Sequence, residues 1–593
     1  MAEFDLVIRG GTVVDGDGKE PFTADVAVKN GLIAKIGAVS GRGTQEIDAD
    51  GAIVSPGFVD VHTHYDGQAT WDERLQPSSW HGVTTVVAGN CGVGFAPVKP
   101  SDHQRLIELM EGVEDIPGVT LTAGMTWEWE SYPDFLNFLE TRTYDIDLAT
   151  QIPHAALRVY AMGGRAAARE TATEVEITEM ARLAKEAIES GALGFSTSRT
   201  LNHKSTDGTL SPDYAAGHEE LVAIARAIGE TGSGVLQVVS DDFLDPFADT
   251  EHSSGRAELV DAADEIALIE RMAEVSGRPL SFSLTQNRNQ PRFYREILDE
   301  LERLNAAGHQ VRAQVAARAV GLIHGLECTL HPFMTNPVWQ EISHLTPTKQ
   351  AEAMASPEMR RRILEATPGK GNGTVLGGLR IERWDTMFEL ENQPDYEPHP
   401  EQSIAARAHK MRRAPIDLAY EILISDQGRG KLYQPFANYS FGSLDAVHEM
   451  LEHPFTIPGL SDGGAHVGTV CDGSFPTTLL QYWVRDRQDG RLTLPFVVQR
   501  QARDTARAVG LHDRGRIALG LRADMNVIDL DALRLHKPEM TYDLPANGRR
   551  LLQRADGYRH TFVSGIETYR NGESTGALPG RLIRGGRPSP TTQ

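Results

Sequence analysis

Up to about residue 50 the chain reads as short strands joined by turns. Asp5 to Arg9 is apolar and β-prone, Gly10-Gly11 turns the chain, and Ala24 to Lys29 alternates. Asn30-Gly31 then signals a hairpin, because a tight two-residue turn needs positive φ at both positions. From Val54 the texture changes. Apolar runs at Phe58–His64, Val83–Ala88, Ala156–Met162, Leu193–Ser198, Val235–Ser240, Leu280–Thr285, Val311–Ala316 and Thr456–Asp462 predict strands. Helix-like stretches such as Glu174–Ser190, Glu219–Thr231, Ala262–Val275 and Pro291–Ala307 lie between them. Near-continuous apolar strands separated by helices imply a parallel sheet covered on both faces. Eight of them fit a (β/α)8 TIM-like barrel, so the fold class is α/β. A long segment at about 321–455 interrupts the pattern, and connections of that length commonly cover or shape a site. The tail returns to short β-like runs, at Met525–Leu530 and His560–Tyr569, which are expected to complete the N-terminal sheet. The predicted organisation is 1–57 and 511–593 as the two parts of a small β domain, with the barrel at 58–510.

Composition changes this picture little. Of 593 residues, 40% are hydrophobic and 24% charged, as in ordinary globular chains. The formal net charge of −24 argues against nucleic acid or an anionic membrane as the main partner, since both reward a basic face. Three cysteines, Cys91, Cys328 and Cys471, are far apart and give no disulfide framework, so a cytoplasmic location is expected. Met1 to Leu6 has no basic start and no long apolar core, so no secretory leader is expected, and no run of about 18 apolar residues occurs in the sequence.

The chemistry begins at Asp60-Val61-His62-Thr63-His64, which ends an apolar run. On a strand, residues i and i+2 share a face, so both imidazoles point the same way. At the C-terminal mouth of a barrel, where barrel active sites lie, they make half a zinc site. Alone, the pattern is weak evidence and also fits two polar residues that happen to end a strand.

Its surroundings narrow the choice. Ser55-Pro56-Gly57-Phe58-Val59-Asp60-Val61-His62-Thr63-His64 is similar to the opening motif of the amidohydrolase superfamily. Gly82-Val83-Thr84-Thr85-Val86-Val87-Ala88-Gly89-Asn90-Cys91-Gly92 resembles the second-strand motif of its N-acyl-D-amino-acid deacylase (D-aminoacylase) branch. Pro153 to Arg158, Gly191 to Ser198, Ser461-Asp462-Gly463 and Gly520 to Met525 follow in family order across nearly the whole chain. The resemblance implies a barrel with a small β domain built from both chain ends. It also implies that Cys91 is a metal ligand, and that Asp462 binds the metal or its water and acts as general base. Such a carboxylate can take a proton from the attacking water and pass it to the departing nitrogen. Strand eight neighbours strand one and strand one neighbours strand two, so Asp462, His62, His64 and Cys91 would meet on one arc of the mouth. That is a plausible tetrahedral set for one zinc ion, or another divalent transition metal. Read without the family, Cys91 is a small buried hydrophobe and Asp462 a turn residue.

The chain also departs from that family. Histidines expected on strands five and six are missing, and Val239 and Leu284 (or Thr285) stand in their places. Strand four offers no lysine, so one metal is expected rather than two. Three readings stay open: a single ion on the arc; further donors from Asp241, Gln286 or Gln237; or a fold that has lost its metal. An arginine expected after the strand-eight aspartate is also absent. His466, Arg158, Asp241 and Gln286 are the candidates for binding substrate. His81, His154, His203, His218, His324 and His331 lack metal spacing and are expected to be structural. The predicted activity is metal-dependent hydrolysis of a small-molecule amide, first an N-acyl (D-)amino acid. A cyclic amide or imide is the second substrate class. The rival from another class is a non-catalytic small-molecule-binding barrel. Homo-oligomerisation stays open.

Overall fold

A computed structural model describes residues 2–244, 262–369 and 383–590. Eight parallel strands follow one another in chain order: β1 (Phe58–Asp60), β2 (Val83–Ala88), β3 (Asp147–Pro153), β4 (Gly194–Arg199), β5 (Val235–Ser240), β6 (Leu280–Leu284), β7 (Val311–Val315) and β8 (Thr456–Pro458). Beyond the formal ends of β8 and β1 the sheet closes on itself. The Asp462 amide donates to the His62 carbonyl at 3.1 Å, and the His64 amide to Gly463 at 2.8 Å. Thr63 and Gly463 form a parallel bridge there. The result is the expected TIM-like barrel, whose core is built from buried Val, Ile, Leu and Phe of these strands and of the helices around them.

The third strand is a correction. Ala156–Met162 lies within a helix, α2 (His154–Met162), and β3 is the preceding Asp147–Pro153. Ala156, Leu157, Arg158, Ala161 and Met162 are strong helix formers, and Pro153 starts the helix without needing a donor. The true strand escaped notice because Asp147, Thr150 and Gln151 break its apolar run. All three are buried and bonded: Asp147 to Arg514, Thr150 to the Tyr132 hydroxyl, and Gln151 to the Asn90 side chain.

The two chain ends share a nine-stranded sheet. Ile53–Pro56 pairs antiparallel with Met525–Ile528, and Phe22–Lys29 pairs with Leu32–Gly37 across the Asn30-Gly31 turn. Both turn residues have positive φ, 53° and 75°. Between β7 and β8 the chain forms a three-stranded sheet (Val320–His324, Phe388–Glu389, Leu432–Ala437) with its own cluster of buried residues, among them Trp339, Met354 and Leu423. Among the described residues no helix is long and apolar enough to cross a membrane.

One buried ionic knot ties the C-terminal segment to the barrel. Arg514 donates to Asp147 at 2.7 Å and lies 3.8 Å from Asp524, and Arg522 lies 2.8 Å from Asp147. Removing one member leaves charges stranded away from water, which costs about 3–5 kcal/mol. Arg514→Met should therefore lower the urea midpoint strongly without changing the slope. A midpoint equal to that of the parent chain would mean that the knot contributes nothing.

Candidate metal centre and active site

His62 and His64 leave the end of β1 on the same side, while Thr63 turns away to donate to the Val87 carbonyl at 2.8 Å. Both imidazoles are almost fully buried. Cys91 follows β2 on a turn in which Gly89, Cys91 and Gly92 all have positive φ. At Gly89 a Cβ would stand 2.1 Å from the Gln151 carbonyl oxygen, so only glycine fits between β2 and β3. After β8, Leu460, Asp462 and His466 have φ of 57°, 49° and 47°. Non-glycine residues seldom adopt this conformation, at a cost of about 1–2 kcal/mol each, and such strain clusters where side chains must be aimed.

These turns bring four donors together. One ligand atom each from His62, His64 and Cys91 lies within 4.8 Å of the other two. His62 Nε2 is 3.2 Å from Cys91 Sγ and 3.4 Å from Asp462 Oδ1, and His64 Nε2 is 3.8 Å from that same oxygen. The opposite ring nitrogens face a second layer. His62 Nδ1 is 2.6 Å from Gln314 Oε1, and the Gln314 amide nitrogen donates to Ser281 Oγ at 2.9 Å. With the amide oxygen toward His62, Nδ1 carries the proton and Nε2 keeps its lone pair for the cluster. His64 Nδ1 lies 3.2 Å from Glu114 Oε1, within ion-pair reach but not aligned as a hydrogen bond. Glu114 ends helix α1 (His103–Glu114), and its other oxygen is 3.5 Å from His466 Nε2.

Burial governs the electrostatics. It raises the Asp462 carboxyl to about 7 and lowers the His62 imidazole to about 4. It pushes Cys91 and Glu114 well above their ordinary ranges, with Asp462 adding to both, and Glu114 to Cys91 as well. His64 is held well below its usual value, again chiefly by burial. Acidic and lone-pair donors thus crowd together out of water, and no Lys or Arg lines their cavity among the described residues. A divalent cation is the partner that satisfies them all, and a coordinating thiol is deprotonated by such an ion. The donor set therefore fits a metal.

The cavity, with about 880 Å³ of empty space including the part open to solvent, lies at the C-terminal mouth. His466 lines it beside the donors. Three other expected residues do not line it. Arg158 is fully buried in an ion pair with Glu220. Asp241 accepts from Thr200 Oγ1 and from the Leu201 amide, bracing a loop. Gln286 bonds the Asn438 and Ser440 segment. At β5 and β6 the wall is Val239, Ser283 and Thr285. Glu114 belongs to no motif, and His203 is expected from the sequence to be structural. His203 in fact lines the cavity, held at 2.7 Å by Ser198 Oγ. Burial keeps its imidazole down at about 3.

A family model described as the amidohydrolase family matches residues 45–572. The chain belongs to that family. This amidohydrolase is 26% identical to a D-aminoacylase of Alcaligenes xylosoxydans xylosoxydans, over 98% of this chain and 97% of the relative. It is 27% identical to the N-acyl-D-glutamate deacylase of the same organism, with the same coverage. A solved N-acyl-D-glutamate deacylase from Bordetella bronchiseptica, complexed with zinc and a phosphonate mimic of the tetrahedral intermediate, aligns with a TM-score of 0.62. That likeness, at 22% identity over 98% of this chain and 99% of the other, is one of fold.

Cys91→Ala removes the one sulfur from the cluster. Metal affinity should fall by about tenfold or more, so the metal content left after dialysis, measured by elemental analysis, should drop with an unchanged circular dichroism spectrum. Full metal content would mean that Cys91 only packs.

Proposed function

We propose that this amidohydrolase is a metal-dependent hydrolase that cleaves the C–N amide bond of a small molecule, with an N-acyl amino acid as the first substrate class. The observation that carries this is the convergence of His62, His64, Cys91 and Asp462 on one side of the mouth. These four would hold the ion, which we take to be a single zinc. Bound there, zinc supplies Lewis-acid polarisation and acidifies water. Asp462 does the proton work. A carboxyl group brought near neutrality by burial can take a proton from water on one oxygen and later give it to the leaving nitrogen. His466, which lines the same cavity and lies 3.5 Å from Glu114, would hold the substrate carbonyl oxygen, with Glu114 orienting it. Gln314 would hold the His62 imidazole in register through its hydrogen bond, and Glu114 lies within ion-pair reach of His64.

Val113, Val239, Val320, Leu322, Phe436 and Val470 form an apolar wall that suits an acyl chain. Each methylene buried there adds about 0.8 kcal/mol, so longer acyl groups should bind better than acetyl. One observation favours the second class. Among the described residues no cation lines the cavity to pair with a substrate carboxylate, and a cyclic amide or imide would need none.

Assays of the zinc-loaded protein on N-acyl amino acids and ring amides decide between the two. Asp462→Asn should lower kcat on whichever substrate turns over by about 10²–10⁴, the usual worth of a general base. Metal content is to be measured in parallel. A metal-loaded variant with near-parental kcat would remove Asp462 from the mechanism.

A further inference from the structure

At the opposite end of the barrel from the active site lies a second, larger cavity, with about 1340 Å³ of empty space open to solvent. Its walls come from the entering ends of three strands: Leu280 and Ser281 of β6, Arg312 of β7, and Thr456 and Ile457 of β8. A helical segment at 494–508 completes it. The charge there runs against the whole molecule. In a chain of net charge −24, this cavity is lined by Arg312, Arg500, Arg503 and Arg507, with only Glu452 and Asp504 opposing them.

The two carboxylates are already engaged. Asp504 is 3.5 Å from Arg500 and 3.0 Å from Arg503, which also reaches Asp17 at 3.2 Å. Glu452 pairs with His448 at 3.4 Å. Arg312 lies over the Phe455 ring and donates to Asn305 at 3.3 Å. Neither it nor Arg507 forms an ion pair among the described residues. Arg500 is nine-tenths buried and fixed in the cavity wall, donating to the Leu451 and His453 carbonyls and to Thr456 Oγ1. Burial lowers the titration of Arg312, Arg500 and Arg507, with Asp504 offsetting part of the shift in all three and neighbouring arginines adding to it in the latter two.

We propose that this floor cavity binds a dianionic phosphate group, as inorganic phosphate or a small phosphate monoester. The surplus of two guanidinium charges sets the charge of the ligand. Guanidinium forks match the oxygens of phosphate better than a point charge does. Its place at the far end of the strands separates it from the cavity of His62 and Asp462.

Titration calorimetry of the zinc-loaded protein at low ionic strength tests this, with inorganic phosphate, glycerol phosphate and acetate as probes. The expected result is one saturable phosphate site with Kd below about 1 mM and no matching acetate site. Arg312→Gln and Arg507→Gln should each weaken it by tenfold or more. Arg507 is exposed, so its variant should fold even if the Arg312 variant does not. Tighter binding of glycerol phosphate points to a monoester, and tighter binding of inorganic phosphate to the free ion. No saturable binding, acetate binding equal to phosphate, or affinity unchanged in both variants would overturn the proposal. The last result would put the anion at the active-site metal.

Discussion

The active site depends on how the barrel closes. Strands β8 and β1 are each three residues long and do not pair within those spans. They meet only past their ends, where the Asp462 amide donates to His62 and the His64 amide donates to Gly463. The same two bonds that seal the sheet therefore set the distance between the carboxyl and the two imidazoles. Backbone hydrogen bonds are stiff and obligatory in a buried setting. They hold the site more reproducibly than side-chain contacts alone would, and catalytic groups need such placement to within a fraction of an ångström.

What closure brings together is costly to keep. A thiol, two carboxyls and two imidazoles sit out of water, and burial shifts each away from its ordinary titration range. Left-handed backbone at Cys91, Asp462 and His466 adds conformational strain in the same few ångströms. Such costs persist where the surrounding structure holds the groups in place, as Gln314, itself bonded to Ser281, does for His62. The arrangement makes sense as a preorganised cage that gains its stability when a cation enters.

Much of this was legible in the sequence because the donors sit at strand ends. His-x-His, the Gly-Asn-Cys turn and Ser-Asp-Gly each follow an apolar run, and period-two alternation tells which way the side chains point. Two kinds of information were not legible. Strand β3 hides its apolar character behind Asp147, Thr150 and Gln151, whose partners lie far away in sequence, one of them Arg514. Glu114 and His203 enter the cavity from a helix end and a loop, where no periodicity fixes direction. Arg158, Asp241 and Gln286 show the converse. Each lies near a strand end and has the right chemistry, yet a local carboxylate, hydroxyl or backbone partner claims it.

X-ray absorption at the zinc edge of the metal-loaded protein addresses the central claim most directly, because it counts sulfur and light donors separately. A cage of His62, His64, Cys91 and Asp462 predicts one sulfur at about 2.3 Å with nitrogen and oxygen donors at about 2.0–2.2 Å. A first shell of nitrogen and oxygen alone would contradict it.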